Sequence, residues 1–186
     1  KTGDTEILNV EVPYLEMQNL QSHEDSIYAI PNISEEKGNV LDHCMRAVNS
    51  SLKFGIHGLP LVGSGDWNDS LNSVGDEGKG ESIWLAWFIL ATLSEFIKVL
   101  EKIDRKEDAD RLNKIYEELK DNVNKHGWDE EWYLRAYFDE GTLLGSRINN
   151  ECAIDSISQS WSIISGAAPL EKQKEAMINH EKYLED

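Results

Sequence analysis

Cysteine is scarce. Cys44 and Cys152 are the only two in 186 residues. No short spacing joins them and neither has a second cysteine or a histidine pair beside it, which excludes a disulfide framework and a zinc site. Two buried free thiols in a reducing, cytoplasmic setting are expected instead. Positive charge is also in short supply, with 18 Lys+Arg against 35 Asp+Glu and a formal net charge of -17. So acidic a chain repels a nucleic-acid backbone, favours neutral ligands and must hold any anionic substrate with local donors. Long apolar runs are missing too. None approaches the ~18 consecutive residues of a membrane span, and no charged-then-apolar leader opens the chain, so any membrane anchor is expected outside it. The glycine-rich Val74-Gly-Asp-Glu-Gly-Lys-Gly80 lacks the lysine-serine ending of a phosphate-binding P-loop and follows no buried strand. It therefore reads as a turning connection and not as a nucleotide cradle.

What is present centres on Gly58-Leu-Pro-Leu-Val-Gly-Ser-Gly-Asp-Trp-Asn-Asp-Ser-Leu-Asn72. Gly63 and Gly65 permit turns that a β-carbon would block, and they deliver Asp66, Trp67, Asn68 and Asp69 ahead of a long apolar helix. An aromatic ring between carboxylates can stack on a pyranose beside groups able to move protons, so the stretch reads as the floor of a sugar-binding active site. No other window combines these features.

Around the motif the patterning is helical. Residues 1–37 are expected to be an irregular or extended lead-in, because Ile7 to Leu15 alternates briefly and Pro13 and Pro31 interrupt any helix. Leu41, Cys44, Met45, Val48 and Leu52 then form a stripe at helical spacing, capped by Gly38 or Asn39 and stopped by Gly55, with His43 beside it in a structural or solvent-facing role. Glu81 to Lys102 is apolar nearly all round in its first half, as a helix buried on most sides must be. Arg105 to Asn124 has one apolar and one charged face, as an outer helix does. His126 to Gly145 reads as a loop or short hairpin, its Trp128, Trp132, Tyr133, Tyr137 and Phe138 either packing beneath it or lining a sugar groove. Asp155 is a good N-cap for a second inner helix through Ile157, Trp161, Ile163 and Ile164, closed by Gly166. Ser156, Ser158, Gln159 and Ser160 in its first turns can bind hydroxyls if that end faces the motif. Pro169 starts a last outer helix. Inner and outer helices in alternation are what a two-layer helical toroid repeats, so the fold class expected is all-α. About four principal helices are too few for a closed ring, and the chain is expected to be a fragment of something longer.

The run Gly63-Ser-Gly-Asp-Trp-Asn-Asp-Ser-Leu-Asn72 resembles glycoside hydrolase family 94, the inverting glycoside phosphorylases, whose members carry Asp-Trp-Asn-Asp near the middle of an (α/α)6 barrel. Gly78-Lys-Gly-Glu-Ser-Ile-Trp-Leu-Ala-Trp-Phe88, Arg135-Ala-Tyr-Phe-Asp-Glu-Gly-Thr-Leu-Leu-Gly145, Glu151-Cys-Ala-Ile-Asp-Ser-Ile-Ser-Gln-Ser-Trp161 and Val12-Pro-Tyr-Leu-Glu16 are most similar to the phosphorylase-like domain of cyclic β-1,2-glucan synthases. The resemblance spans most of the chain. It implies a fragment of a single (α/α)6 catalytic barrel, with 1–37 as lead-in, 38–186 as helical hairpins, and irregular loops and a short hairpin at one rim. The implied reaction is inverting phosphorolysis, and reverse synthesis, of a β-1,2-glucan or related β-glucoside, giving α-glucose 1-phosphate. Asp69 would be the general acid and Trp67 would line the sugar subsite, with Asp66, Asn68 and Gln159 as further substrate-binding candidates. Ser70 stands where glycine is usual in this branch, which can alter the local turn. The implied partners are a β-glucan or oligosaccharide, inorganic phosphate as co-substrate, and the remaining domains of a larger polypeptide, whether cytoplasmic or the cytosolic part of a membrane-bound enzyme. No cofactor, metal or nucleic acid is expected.

The chemistry accommodates this. An inverting hydrolase needs two carboxyl groups ~6.5–9.5 Å apart, one to protonate the leaving oxygen and one to activate water. A phosphorylase needs only the first, because phosphate is already an anionic nucleophile. The acid must then be protonated when substrate arrives, through desolvation or a neighbouring negative charge such as Asp66. The commoner use of a short-loop aspartate is to accept backbone hydrogen bonds, and Asn68 is expected to orient the loop. The family draws phosphate ligands from upstream of the motif and from far downstream, beyond this segment. Arg135, Arg147 and Lys79 are read as solvated or structural, and the segment alone is expected to be inactive. Two alternatives stand beside this reading: an inverting hydrolase with Glu81, Glu151 or Asp155 as base, and a non-catalytic glucan-binding module in which Trp67 and the Trp128 to Phe138 cluster do the stacking.

Overall fold

The brief alternation in Glu11-Val-Pro-Tyr-Leu-Glu16 becomes a strand. In a computed structural model that describes residues 3–19, 21, 27–63, 65 and 69–185, the chain forms two units, Lys1–Leu52 and Lys53–Asp186. In the first, β1 (Glu11–Glu16) pairs antiparallel with β2 (Asn32–Asn39), Glu11 opposite Asn39 and Glu16 opposite Asn32, with an irregularity between Pro13 and Leu15. A two-stranded ribbon has edges on both sides, so the missing N–H of Pro13 breaks no central ladder. β2 runs straight into α1 (Val40–Ser51). Asn39 is the hinge: its Oδ1 accepts from Asp42 N at 2.8 Å while Asp42 Oδ2 accepts from Asn39 N at 3.3 Å, a reciprocal capping box. His43 has the structural role expected of it, since its ring stacks on Tyr14 at 4.1 Å and its Nε2 lies 3.2 Å from Val12 O.

The second unit is built on α2 (Ile83–Lys102). Both α3 (Lys106–His126) and α4 (Ser156–Ile164) pack on it, and α5 (Leu170–Leu184) packs on α4. Nine α2 residues are buried, from Ile83 and Trp84 to Leu100. This helix is long and apolar enough to cross a membrane by length and composition; here half of its apolar window is buried, with α3 and α4 packed on it, while Phe88 is exposed. From α3 it receives Ala109, Leu112, Leu119 and Val123, the apolar face read from the sequence.

The expectation of an all-α chain is corrected by two antiparallel sheets. Besides β1 and β2, a three-stranded sheet is formed by β3 (Glu81–Ser82), β4 (Ala136–Tyr137) and β5 (Leu143–Leu144), in the order β3-β4-β5. Strands of two residues are too short to leave a period-two signature, and β3 and β4 are brought together from 55 residues apart only by the turn of α2 against α3. Glu81 and Ser82, expected to start the helix, are therefore strand, and Ser82 then caps α2 by accepting from Leu85 N at 3.1 Å. Cys44 and Cys152 are free thiols, but Cys152 is exposed and Cys44 only half-buried, which corrects the expectation of two buried ones. Cys152 sits in an irregular loop with φ of 50°, outside the helical core.

Candidate active site

Residues 53–62 approach the motif as a hairpin arm: Phe54 pairs antiparallel with Pro60, and Gly55 N donates to Leu59 O at 2.9 Å and Gly58 N to Gly55 O at 3.0 Å across its turn. Leu61 N donates to Lys53 O at 2.9 Å, Val62 N to Gly80 O at 2.8 Å and Ser82 N to Pro60 O at 2.9 Å, so Pro60 to Val62 lie along Gly80 to Ser82 at the edge of the β3-β4-β5 sheet. At the end of this arm Gly63 and Gly65 have φ of 66° and 136°, the left-handed conformations their placement predicts. Asp66, Trp67 and Asn68, with the substrate-binding roles expected of them, lie outside the described residues. Asp69 opens a 3-10 turn, Asp69–Val74, that also contains Ser70. Leu71 and Val74 of this turn pack with Val62, Ala136, Phe138 and Leu144, which seats the turn on the sheet.

The downstream arm is held by one carboxylate. Asp139 accepts from Glu77 N and Lys79 N at 2.7 Å and from Gly80 N at 2.8 Å. Burial works against its charge, yet these three donors and the nearby Lys79 ammonium bring its carboxyl below the ordinary range. Gly80 is required here because a β-carbon would collide with Val74 O, a backbone atom that cannot rotate away. Gly80→Ala is expected to destabilise the protein by about 1–3 kcal/mol, read as a lowered thermal midpoint, whereas an unchanged midpoint would show that Gly80 is not packed against the Val74 backbone.

The upstream arm is held by another. Glu81 is 1% exposed. Its Oε1 accepts from His57 N and Leu59 N, both at 3.1 Å, and its Oε2 lies 2.5 Å from His57 Nδ1. The His57 ring stacks on Tyr137 at 4.1 Å and tilts against His126 at 5.3 Å. Tyr137 donates its hydroxyl to His126 O at 2.6 Å, and burial, followed by the negative charges of Glu81 and Asp129, pushes its phenol upward. Burial, followed by the charges of Lys125 and His57, holds the His126 imidazole below its usual value. A cleft of about 470 Å³ opens beside this group, with Phe54, His57, Lys79, Tyr137 and Phe138 in its walls.

Several sequence candidates are engaged elsewhere. Asp155 caps α4 by accepting from Ile157 N at 2.8 Å, and its other oxygen lies 3.6 Å from Arg135 Nε. Glu151 is exposed. Arg135 is buried and donates to Ser82 Oγ at 3.2 Å, Lys79 pairs with Glu77 at 2.6 Å, and Arg147 with Glu130 at 2.5 Å. All three cations thus have the solvated or structural roles read for them. Gln159 is 0% exposed. Its Oε1 accepts from Tyr133 N at 2.9 Å, while Nε2 donates to Tyr133 O at 2.7 Å and Asp155 O at 3.0 Å. The amide therefore acts like a peptide group, tying α4 to the Trp132–Tyr133 loop. Within the aromatic cluster, Trp132 donates to Gly145 O and Ala153 O at 3.0 and 2.9 Å, and Tyr133 is buried against Trp87 and Trp128, so packing dominates there. Tyr137 and Phe138 alone of the five line the cleft.

Sequence reasoning missed His57 and Asp139. His57 sits in Phe54-Gly-Ile-His-Gly-Leu-Pro60, immediately before the motif, and that proximity was the available signal. Asp139 reads as a turn residue in Asp139-Glu-Gly141, and nothing local reveals the arm it binds about 60 residues away.

The turn that Asp69 opens is seated on a small sheet through Leu71 and Val74, and that sheet lies against a helical core. The chain belongs to the Glycosyl hydrolase 94 superfamily, whose catalytic-domain model matches residues 1–186. It is 40% identical over 177 residues to cyclic beta-(1,2)-glucan synthase NdvB of Rhizobium meliloti, covering 95% of this chain and 6% of that protein. It is 37% identical over 174 residues to solabiose phosphorylase of Paenibacillus borealis, covering 92% of this chain and 20% of the relative. A third relative, 3-O-beta-D-glucopyranosyl-beta-D-glucuronide phosphorylase of the same organism, is 34% identical over 140 residues, covering 75% of this chain and 18% of the relative. The chain thus spans a fifth or less of the length of these relatives.

Proposed function

We propose that the chain is part of the catalytic domain of a phosphorylase that processes β-1,2-glucan or a related β-glucoside, inverting configuration to release α-glucose 1-phosphate. Asp69 gives its proton to the glycosidic oxygen as the bond to the anomeric carbon breaks. Hydrogen phosphate attacks that carbon from the opposite face, and the proton it loses restores the acid. Trp67 offers the stacking platform, while Asp66 and Asn68 belong to the same loop. Other parts of a larger polypeptide complete the substrate and phosphate sites.

The observation that carries this reading is the match of residues 1–186 to the Glycosyl hydrolase 94 catalytic-domain model. Of the three candidate bases for a hydrolase, Glu151 is exposed and the other two are engaged within the fold. Glu81 is enclosed by His57 and Leu59, and Asp155 caps α4 beside Arg135. Neither is disposed to activate a water, whereas phosphorolysis asks for no such base. The likeness to two relatives named as phosphorylases supports the same reaction, and the likeness to a cyclic beta-(1,2)-glucan synthase supports the linkage. The test is the phosphate requirement of sugar release by the full-length protein: the proposal demands it, and a hydrolase would dispense with it.

A further inference from the structure

The loop that carries Asp69 leaves the sheet and returns to it through one narrow stem. Val62 N donates to Gly80 O at 2.8 Å and Ser82 N to Pro60 O at 2.9 Å, so the two arms are joined at Pro60–Val62 and Gly80–Ser82. These two bonds contribute only about 0.5–1.5 kcal/mol each net; on the downstream side Asp139 accepts three more from the N–H groups of Glu77, Lys79 and Gly80. The upstream hairpin, Lys53 to Leu61, has its tie in a side chain of the stem itself. Glu81 supplies it. A carboxylate accepts at two oxygens, and here Oε1 takes the N–H groups of His57 and Leu59 while Oε2 takes the ring of His57. Gly55 makes room for it, since a β-carbon there would lie 2.5 Å from Glu81 Cδ. The chain from Gly55 to Leu59 is thus wrapped around a buried charge that the next strand supplies.

We infer that Glu81 is a positioning residue for the acid-bearing loop: its buried carboxylate sets the course of the upstream arm and so the place at which Asp69 meets the glycosidic oxygen. The inference rests on the proposed role of Asp69, but the clamp can be tested separately from the chemistry. Charge-assisted hydrogen bonds to a buried carboxylate are shorter and stronger than neutral ones, so the three donors are held more firmly than by an amide. Glu81→Gln keeps an acceptor for the two backbone N–H groups and loses the charged contact to His57. Glu81→Ala loses all three and opens a cavity.

The decisive experiment is hydrogen exchange on the full-length protein, comparing peptides over residues 55–74 with peptides from α2 and α3. Protection over 55–74 is expected to fall at least about tenfold in Glu81→Ala and by a smaller factor in Glu81→Gln, with α2 and α3 unchanged. In turnover, Glu81→Gln is expected to lower kcat about 10- to 100-fold at little-changed KM, since displacement of a catalytic group costs rate more than binding. Unchanged protection over 55–74 in both variants would overturn the inference, as would a kcat deficit in Glu81→Gln that is matched by an equal loss of protection in α2 and α3. If Glu81→Ala does not fold, the Glu81→Gln pattern decides alone. If the wild type releases no sugar phosphate, the phosphorylase reading fails while the exchange result still decides the clamp.

Discussion

Asp69→Asn is expected to lower kcat for phosphate-dependent sugar release by about 10²–10⁴-fold, the usual contribution of a general acid. Asparagine has the shape of aspartic acid but no proton to give at the pH of the reaction, so KM for glucan and phosphate is expected to change little. The deficit has a chemical signature. A substrate whose leaving group departs as a stable anion needs no protonation, and a nitrophenyl glucoside should recover most of the lost rate in the variant if the domain accepts it. Steady-state kinetics on both substrates check this. Near-wild-type turnover of the glucan by Asp69→Asn would remove Asp69 from the reaction.

The second large effect concerns stability. Trp87 lies on the central helix α2, is 0% exposed and meets the Tyr133 ring edge-on at 4.9 Å. Trp87→Ala is expected to cost about 3–5 kcal/mol, from lost burial and the cavity left behind, and to lower the thermal midpoint by roughly 10 °C for a unit of this size. Trp87→Phe should be far milder. The indole Nε1 finds no acceptor among the described residues, so its removal takes away a buried, unsatisfied donor. Scanning calorimetry of the two variants checks the pair. Equal losses in both would mean that the indole nitrogen matters more than the ring volume.

How much of this was legible in the sequence depends on the range over which each feature is encoded. The helices are local: the all-round apolarity of Ile83 to Leu100 and the one-sided face of α3 are visible within a few turns, and both elements form where the pattern places them. Gly63 and Gly65 are local too, and their positive φ follows from their place between apolar residues and a polar turn. The sheets are not local. β3, β4 and β5 are two residues each, and their pairing is decided by which backbone groups the packed helices bring together. The roles of charged side chains follow the same division. Glu81 reads equally as a helix-starting acid or a catalytic base until His57 and Leu59, more than 20 residues earlier, are seen to enclose it. Gln159, a polar residue in the first turn of α4, reads as a ligand for sugar hydroxyls; its burial against the Tyr133 backbone comes from a loop that no helical pattern announces. The proposed distinction between the two aspartates of Asp66-Trp-Asn-Asp69 rests on the family resemblance and on nothing local to either residue.

The central claim is that these residues serve phosphorolysis. Incubating the full-length protein with a β-1,2-glucooligosaccharide, with and without inorganic phosphate, and following the products by phosphorus and proton magnetic resonance, tests it most directly. The account predicts α-glucose 1-phosphate in the presence of phosphate and no release of sugar in its absence. Free sugar released at the same rate without phosphate would contradict it.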